Sequence, residues 1–263
     1  MDVLKRNNVQ VIEGGSPTLV FAHGYGCDQH VWQDMIGSFS PRHRIVIFDY
    51  VGAGGSDLSQ YDKERYSSLE GYAMDLEEIY QALGLNDTIL IAHSVSSMIG
   101  LLLGIKHPEY FRNIVFLGPS PRYIDDVDYQ GAFSREDLES LFEMMDNNYL
   151  GWSRALAPSF IANPERPELG ERLTNSFCAT DPEIARQFAR VTFLGDNRKD
   201  LSKLIVPSLT LQCREDIVAP EYVGNYMHER MENNTLVLLK ATGHCSHMSA
   251  PEETIQAIKD YIY

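Results

Sequence analysis

The chain has 263 residues, with 22 Lys and Arg against 37 Asp and Glu and a formal net charge of −15. Such a field repels phosphate backbones and anionic lipid, so nucleic acid and membrane surfaces are excluded as expected partners. A hydrophobic content of 44% with 22% charged residues fits a globular chain, and the length permits one large α/β domain or two small ones, with a core that needs no staples.

The start, Met1-Asp2-Val3-Leu4-Lys5-Arg6, lacks the apolar stretch of a signal peptide, and no segment is apolar enough over a sufficient length to span a bilayer. Cys27, Cys178, Cys213 and Cys245 are scattered without CxxC spacing, so free thiols in a cytoplasmic protein are expected. The first β-rich run, residues 18–22, ends at His23-Gly24-Tyr25-Gly26, and the second, residues 44–49, ends at Gly52-Ala53-Gly54-Gly55. An amphipathic helix is predicted over 68–83. A third strand, 88–92, leads into His93-Ser94 and then a more buried helix over 97–105. Residues 113–117 form a fourth strand, followed by Gly118-Pro119. The continuous apolar character of these runs fits strands buried on both faces of a parallel sheet.

From about 123 to 200 the alternation stops. Helical patterns at 135–145, 149–156, 169–177 and 182–193 carry no convincing strand, so an all-helical cap over the carboxyl ends of the strands is expected. Strands resume at 208–212 and 235–239, and a helix over 251–261 begins on Pro251, a residue suited to a first helical position.

Four loops carry candidate chemistry. Ser94 stands on a sharp strand-to-helix turn, where its hydroxyl projects at the sheet edge and the Val95 N–H points at a developing oxyanion. The competing reading is a serine that merely caps the helix. The pentapeptide Ala92-His93-Ser94-Val95-Ser96 departs from G-x-S-x-G at both glycines, which implies a slightly more strained turn. His23-Gly24-Tyr25-Gly26 is suited to supply the second oxyanion donor, the N–H of Tyr25, unless it is only a flexible turn. After strand 208–212, Asp216 and Glu215 compete as the acid that orients a base. Asp216 is favoured because it precedes the apolar Ile217-Val218, while Asp196 and Asp200 are read as solvated. After strand 235–239, His244 follows Gly243 at a loop apex and is favoured over His247 as the base. A metal site of His244, His247 and Cys245 is a weaker alternative. The order Ser, Asp, His is that of α/β-hydrolases. Gly52-Ala53-Gly54-Gly55-Ser56-Asp57 has Asp57 where a dinucleotide loop needs its third glycine, so it and Asp49 are read as structural.

Longer stretches carry a resemblance. His93-Ser94-Val95-Ser96-Ser97-Met98-Ile99-Gly100, Ser120-Pro121-Arg122-Tyr123 with Asp126-Val127-Asp128-Tyr129-Gln130-Gly131, and Gly243-His244 with His247 resemble the RsbQ and karrikin–strigolactone receptor branch of the α/β-hydrolases. Within that branch the motifs most resemble the bacterial RsbQ regulators, with Ala92 departing from the usual glycine and Ser96 matching the plant receptors. The resemblance covers nearly the whole chain. It implies the α/β-hydrolase fold, a mostly parallel central sheet flanked by helices, with a core of residues 1–122 and 197–263 and a four-helix lid of 123–196. It also implies an apolar cavity lined by Tyr25, Tyr123, Phe133, Leu141, Trp152, Phe193 and Val218.

The resulting expectation is a serine hydrolase of a small apolar ester or lactone, with Ser94, His244 and Asp216 as its triad and no metal or organic cofactor required. The resemblance further implies a signalling role with a sensor-domain protein phosphatase as partner. An ordinary metabolic esterase, a carbon–carbon-bond hydrolase or a perhydrolase is the alternative. A haloalkane dehalogenase is disfavoured, because it needs a carboxylate where Ser94 stands.

Overall fold

The computed structural model describes residues 2–263; Met1, the first residue of the expected core segment, lies outside the described residues. Seven strands build one sheet: β1 Gln10–Ile12, β2 Leu19–Ala22, β3 Ile45–Ile47, β4 Thr88–His93, β5 Phe111–Leu117, β6 Ser208–Glu215 and β7 Asn234–Thr242. Their order is β1-β3-β2-β4-β5-β6-β7, and every neighbouring pair is parallel except β1 with β3. Every residue of β2, β3 and β4 is buried, as strands covered on both faces require. β1 escapes sequence reading because three partly exposed residues at a sheet edge show no period.

Helices α1 Val3–Arg6, α2 Gln33–Ile36, α3 Leu69–Leu83 and α4 Val95–Lys106 belong to the first half of the chain. The α3 helix stops at Gly84, whose left-handed φ of 60° closes the last turn. Four helices then follow without a strand: α5 Arg135–Asn147, α6 Tyr149–Ile161, α7 Pro167–Ala179 and α8 Pro182–Leu194. Each start is marked in the sequence. Ser134 and Asp137 form a capping box, Asn148 and Asp181 accept first-turn N–H groups, and Pro167 and Pro182 occupy first positions. The α6 helix runs through Pro158 to Ile161, five residues beyond the predicted end at 156. The stems of this insertion are clasped. Asn197 N–H donates to the Pro121 carbonyl at 2.8 Å, and Arg122 pairs with Asp196 at 2.9 Å. Asp196 and Asp200 are thus tied to Arg122, Arg198 and Lys203 rather than simply solvated.

Finally come α9 Glu221–His228, α10 Ser246–Ser249 and α11 Pro251–Ile262. Helices α3 and α4 pack on each other, and α11 packs against α2, β6 and β7. No helix among the described residues is long and apolar enough to cross a membrane. Strands β6 and β7 extend three residues past their predicted ends, to the pair Glu215 and Thr242. The Gly243 N–H then donates to the Glu215 carbonyl at 2.7 Å, so the chains carrying Asp216 and His244 leave the sheet side by side.

Candidate active site

Ser94 follows β4 with φ 56° and ψ −123°, in a backbone region that a serine occupies only under strain. Its side chain makes no capping hydrogen bond to α4. The hydroxyl instead lies 2.8 Å from Nε2 of His244, and Nδ1 of His244 lies 2.7 Å from Oδ2 of Asp216. All three residues are about 5% exposed. Asp216 Oδ1 accepts the N–H groups of Val218 at 2.8 Å and Ala219 at 3.1 Å, so the carboxylate is held by its own loop. A carboxylate on Nδ1 selects the tautomer whose Nε2 lone pair faces Ser94, and that arrangement can take the hydroxyl proton.

Of the apolar pair that follows Asp216, Val218 is buried and lines the space over Ser94, whereas Ile217 is 54% exposed, and the two backbone N–H groups fix the carboxylate. Glu215 is exposed, away from the imidazole.

Two glycines make the reach across the sheet possible. His244 spans the end of β5, and a Cβ on Gly118 would stand 3.3 Å from its ring. Gly243 has φ +82°, and a Cβ there would come within 2.1 Å of the Ile161 carbonyl oxygen. The backbone of His244 is held from both sides. Its N–H donates to the Phe160 carbonyl at the end of α6 at 2.7 Å, and its carbonyl accepts from Nε2 of His93 at 3.0 Å. His244 is therefore fastened to the inserted helices and to the turn that carries Ser94.

At the elbow, Ser96 replaces the usual glycine without leaving an unpaired buried polar atom. Its hydroxyl donates to the His23 carbonyl and sits 3.2 Å from the Tyr50 hydroxyl, tying the turn to the His23-Gly24 loop. On that loop the Tyr25 N–H has no hydrogen-bond partner among the described residues, and the Val95 N–H opens a helix and has no intrahelical acceptor. The Tyr25 hydroxyl donates to the Ala185 carbonyl of α8 at 3.2 Å. The Gly52–Gly55 turn closes on Asp49, whose carboxylate accepts the N–H groups of Gly55 and Gln29 at 2.8 Å each.

His247 is fully buried beside Trp32 and His93, with ring centroids 4.7 and 4.4 Å away, and neither of its nitrogens has a partner. It does not line the space over Ser94. Among the described residues no three His, Cys, Asp or Glu side chains converge as metal ligands, which removes the geometric basis for the metal reading. Burial pushes the His247 imidazole down to about 3. In the unfolded chain it titrates near 6.5, so between these values the unfolded state binds the extra proton. The stability it contributes is present above pH 6.5 and is lost as pH falls towards 3. Between pH 7 and pH 5 this amounts to about 2 kcal/mol. His247→Leu is expected to flatten the acid limb of stability, read as a smaller drop in Tm over that interval. Equal drops in variant and wild type would contradict the assignment.

The space over Ser94 has a volume of about 20 Å³, room for roughly one water molecule. Of the expected lining, Tyr25, Tyr123, Phe193 and Val218 face it. Phe133, Leu141 and Trp152 do not. Phe133 packs edge-on against Phe193, Trp152 stacks on Phe177, and Leu141 is buried among the core side chains. Besides Ser94, His244 and His93, six residues that the sequence did not assign to the pocket complete the wall: Cys27, Phe160, Leu173, Phe177, Thr192 and Cys245. Leu173 and Phe177 lie four apart on one face of α7, which marks them as buried without separating pocket from core, whereas Phe160 lies beyond Pro158, where the helical pattern stops. Burial pushes the Cys27 thiol up to about 12 and raises Cys245 well above its usual value, so both stay protonated at neutral pH. A larger cleft of about 690 Å³ between residues 67–70 and 187–197 contains none of these groups.

Comparison with known proteins agrees with this architecture. The pattern of the alpha/beta hydrolase family matches residues 19–257. The karrikin insensitive 2 receptor CA of Petunia hybrida is 34% identical over 99% of this chain and 97% of its own length. The strigolactone esterase D14 of Arabidopsis thaliana is 32% identical over 98% of this chain and 97% of its own. Among solved structures, a hydrolase from Oleispira antarctica superposes with a TM-score of 0.97 at 42% identity, covering 99% of this chain and 96% of that one.

Proposed function

The chain belongs to the alpha/beta hydrolase family, and from that premise we propose that it is a serine hydrolase of small neutral esters or lactones. The observation that carries this reading is the unbroken relay from the Ser94 hydroxyl through His244 to Asp216, at 2.8 and 2.7 Å. In the reaction, Nε2 of His244 takes the Ser94 proton as Oγ attacks the carbonyl carbon. The N–H groups of Tyr25 and Val95 hold the oxyanion while Asp216 stabilises the imidazolium. The imidazolium then protonates the leaving oxygen. Water, deprotonated by the same histidine, releases the acid and restores Ser94. Loss of aryl-ester hydrolysis on replacing Ser94 tests this assignment.

The substrate class follows from the walls of the pocket. Aromatic and aliphatic side chains dominate the lining and no Lys or Arg is among them, so a neutral, mostly apolar acyl compound fits. A butenolide-like lactone is of that class. A space of about 20 Å³ admits no such molecule until surrounding side chains turn aside. In this reading residues 123–196 are a lid over a core of 1–122 and 197–263, and lid movement limits turnover.

A signalling role is a second reading: relatives named a receptor and an esterase favour it in its coarse form, and its RsbQ-like form rests on the sequence motifs alone. The chain would then serve as a ligand-processing signal protein, an RsbQ-like regulator whose partner is a sensor-domain phosphatase. Turnover separates the emphasis. Rates of about 1–10³ per second fit a metabolic esterase, and a few events per minute or fewer fit a signalling role.

A further inference from the structure

Thr192 is the pocket residue whose chemistry the reading above leaves unused. It lies in α8, 3% exposed, and its hydroxyl has no hydrogen-bond partner. Buried hydroxyls in helices commonly donate to the carbonyl four residues back. Ser153, Thr174 and Thr254 do so, to Tyr149, Gly170 and Ala250. Thr192 makes no such bond to Phe188, and it lines the space over Ser94. Tyr123 lines the same space at 2% exposure, and its hydroxyl, which faces the Ser94 side chain, has no partner within hydrogen-bond distance. Leaving a buried hydroxyl unpaired opposes stability, so two of them on one small apolar pocket call for an acceptor from outside the protein.

We infer that Thr192 and Tyr123 form a polar pole of the pocket, hydrogen-bonding a second, neutral acceptor oxygen of the ligand beyond its scissile carbonyl. That oxygen is a ketone, ester or ether oxygen. Each hydroxyl has a proton to give, and burial holds Tyr123 as the neutral phenol, its titration pushed up to about 12. No Lys or Arg lines the pocket to balance a carboxylate, which makes the acceptor uncharged. The inference rests on the Ser94 pocket being the ligand site. It narrows the substrate from an apolar ester to one that carries oxygen at two places.

The test uses shape-conserving variants, Thr192→Val and Tyr123→Phe, with matched p-nitrophenyl esters. Methoxyacetate is set against butyrate, and 3-oxobutanoate against 3-methylbutanoate. Comparing the ratio within each pair between wild type and variant cancels the intrinsic reactivity of the esters. In each variant the kcat/KM ratio of the oxygen-bearing ester to its carbon partner is expected to fall about tenfold in at least one pair. Thr192→Val is also expected to raise Tm by about 2 °C, because a methyl group replaces a hydroxyl with no partner. Unchanged ratios in both pairs overturn the inference. So does a lower Tm for Thr192→Val, since the hydroxyl would then serve the fold. If wild type hydrolyses none of the four esters, the Ser94 reading falls instead, and the polar pole is judged by the direction of the Tm change alone.

Discussion

Ser94→Ala is expected to lower kcat for a model aryl ester by about 10⁴- to 10⁶-fold, with a circular-dichroism spectrum matching that of wild type. The size follows from what remains. The oxyanion donors and the pocket still bind the ester, yet no group within reach of His244 can form the acyl intermediate. The nearby thiols of Cys27 and Cys245 cannot substitute, because burial keeps them protonated. The hydroxyl makes no capping bond to α4, so removing it takes no support from the helix. His244→Ala is expected to cost about as much, and the double variant little more, since the two groups act in one step. Steady-state hydrolysis of p-nitrophenyl acetate reads all three. A Ser94→Ala rate within tenfold of wild type would contradict the nucleophile assignment.

Asp216→Asn should reduce kcat by about 10⁴-fold while leaving the fold in place. The reason is tautomeric. Asp216 accepts three N–H groups: two from the backbone of Val218 and Ala219 on Oδ1, and one from His244 on Oδ2. An asparagine must turn its carbonyl oxygen to the two backbone donors, because they are fixed by the loop. Its NH₂ then faces Nδ1 of His244, which must accept. The proton moves to Nε2 and points at Ser94, so the ring no longer takes the serine proton. The measurement is kcat for the same ester beside the Tm of each protein. A loss of less than about a hundredfold would mean that orientation by Asp216 matters little here.

The centre of the sheet is legible because β2, β3 and β4 are buried on both faces and read as unbroken apolar runs. β1 is not legible, since Gln10–Ile12 is short and half exposed at the edge. The three groups of the relay lie after strands that the sequence marks, and the structure brings all three within hydrogen-bond distance. The sequence does not reveal how they are held. Asp216 is fixed by the N–H groups of Val218 and Ala219, and of the apolar pair after it only Val218 turns inward. His244 is clamped by Phe160 at the end of a helix that continues past Pro158. Nor does helical periodicity distinguish pocket from core. Leu141 and Trp152 share their character with Phe177 and Leu173, and only packing decides which of them face Ser94. The unpaired Thr192 hydroxyl is likewise a property of the folded chain.

Covalent trapping tests the central claim most directly. Diethyl p-nitrophenyl phosphate reacts with an activated serine by losing p-nitrophenolate, leaving a diethylphosphoryl group on the attacking oxygen. One equivalent of p-nitrophenolate should be released per chain, hydrolysis should cease in parallel, and peptide mass spectrometry should place the adduct on Ser94. An adduct on any other residue, or full hydrolytic activity in a chain modified at Ser94, would contradict the account.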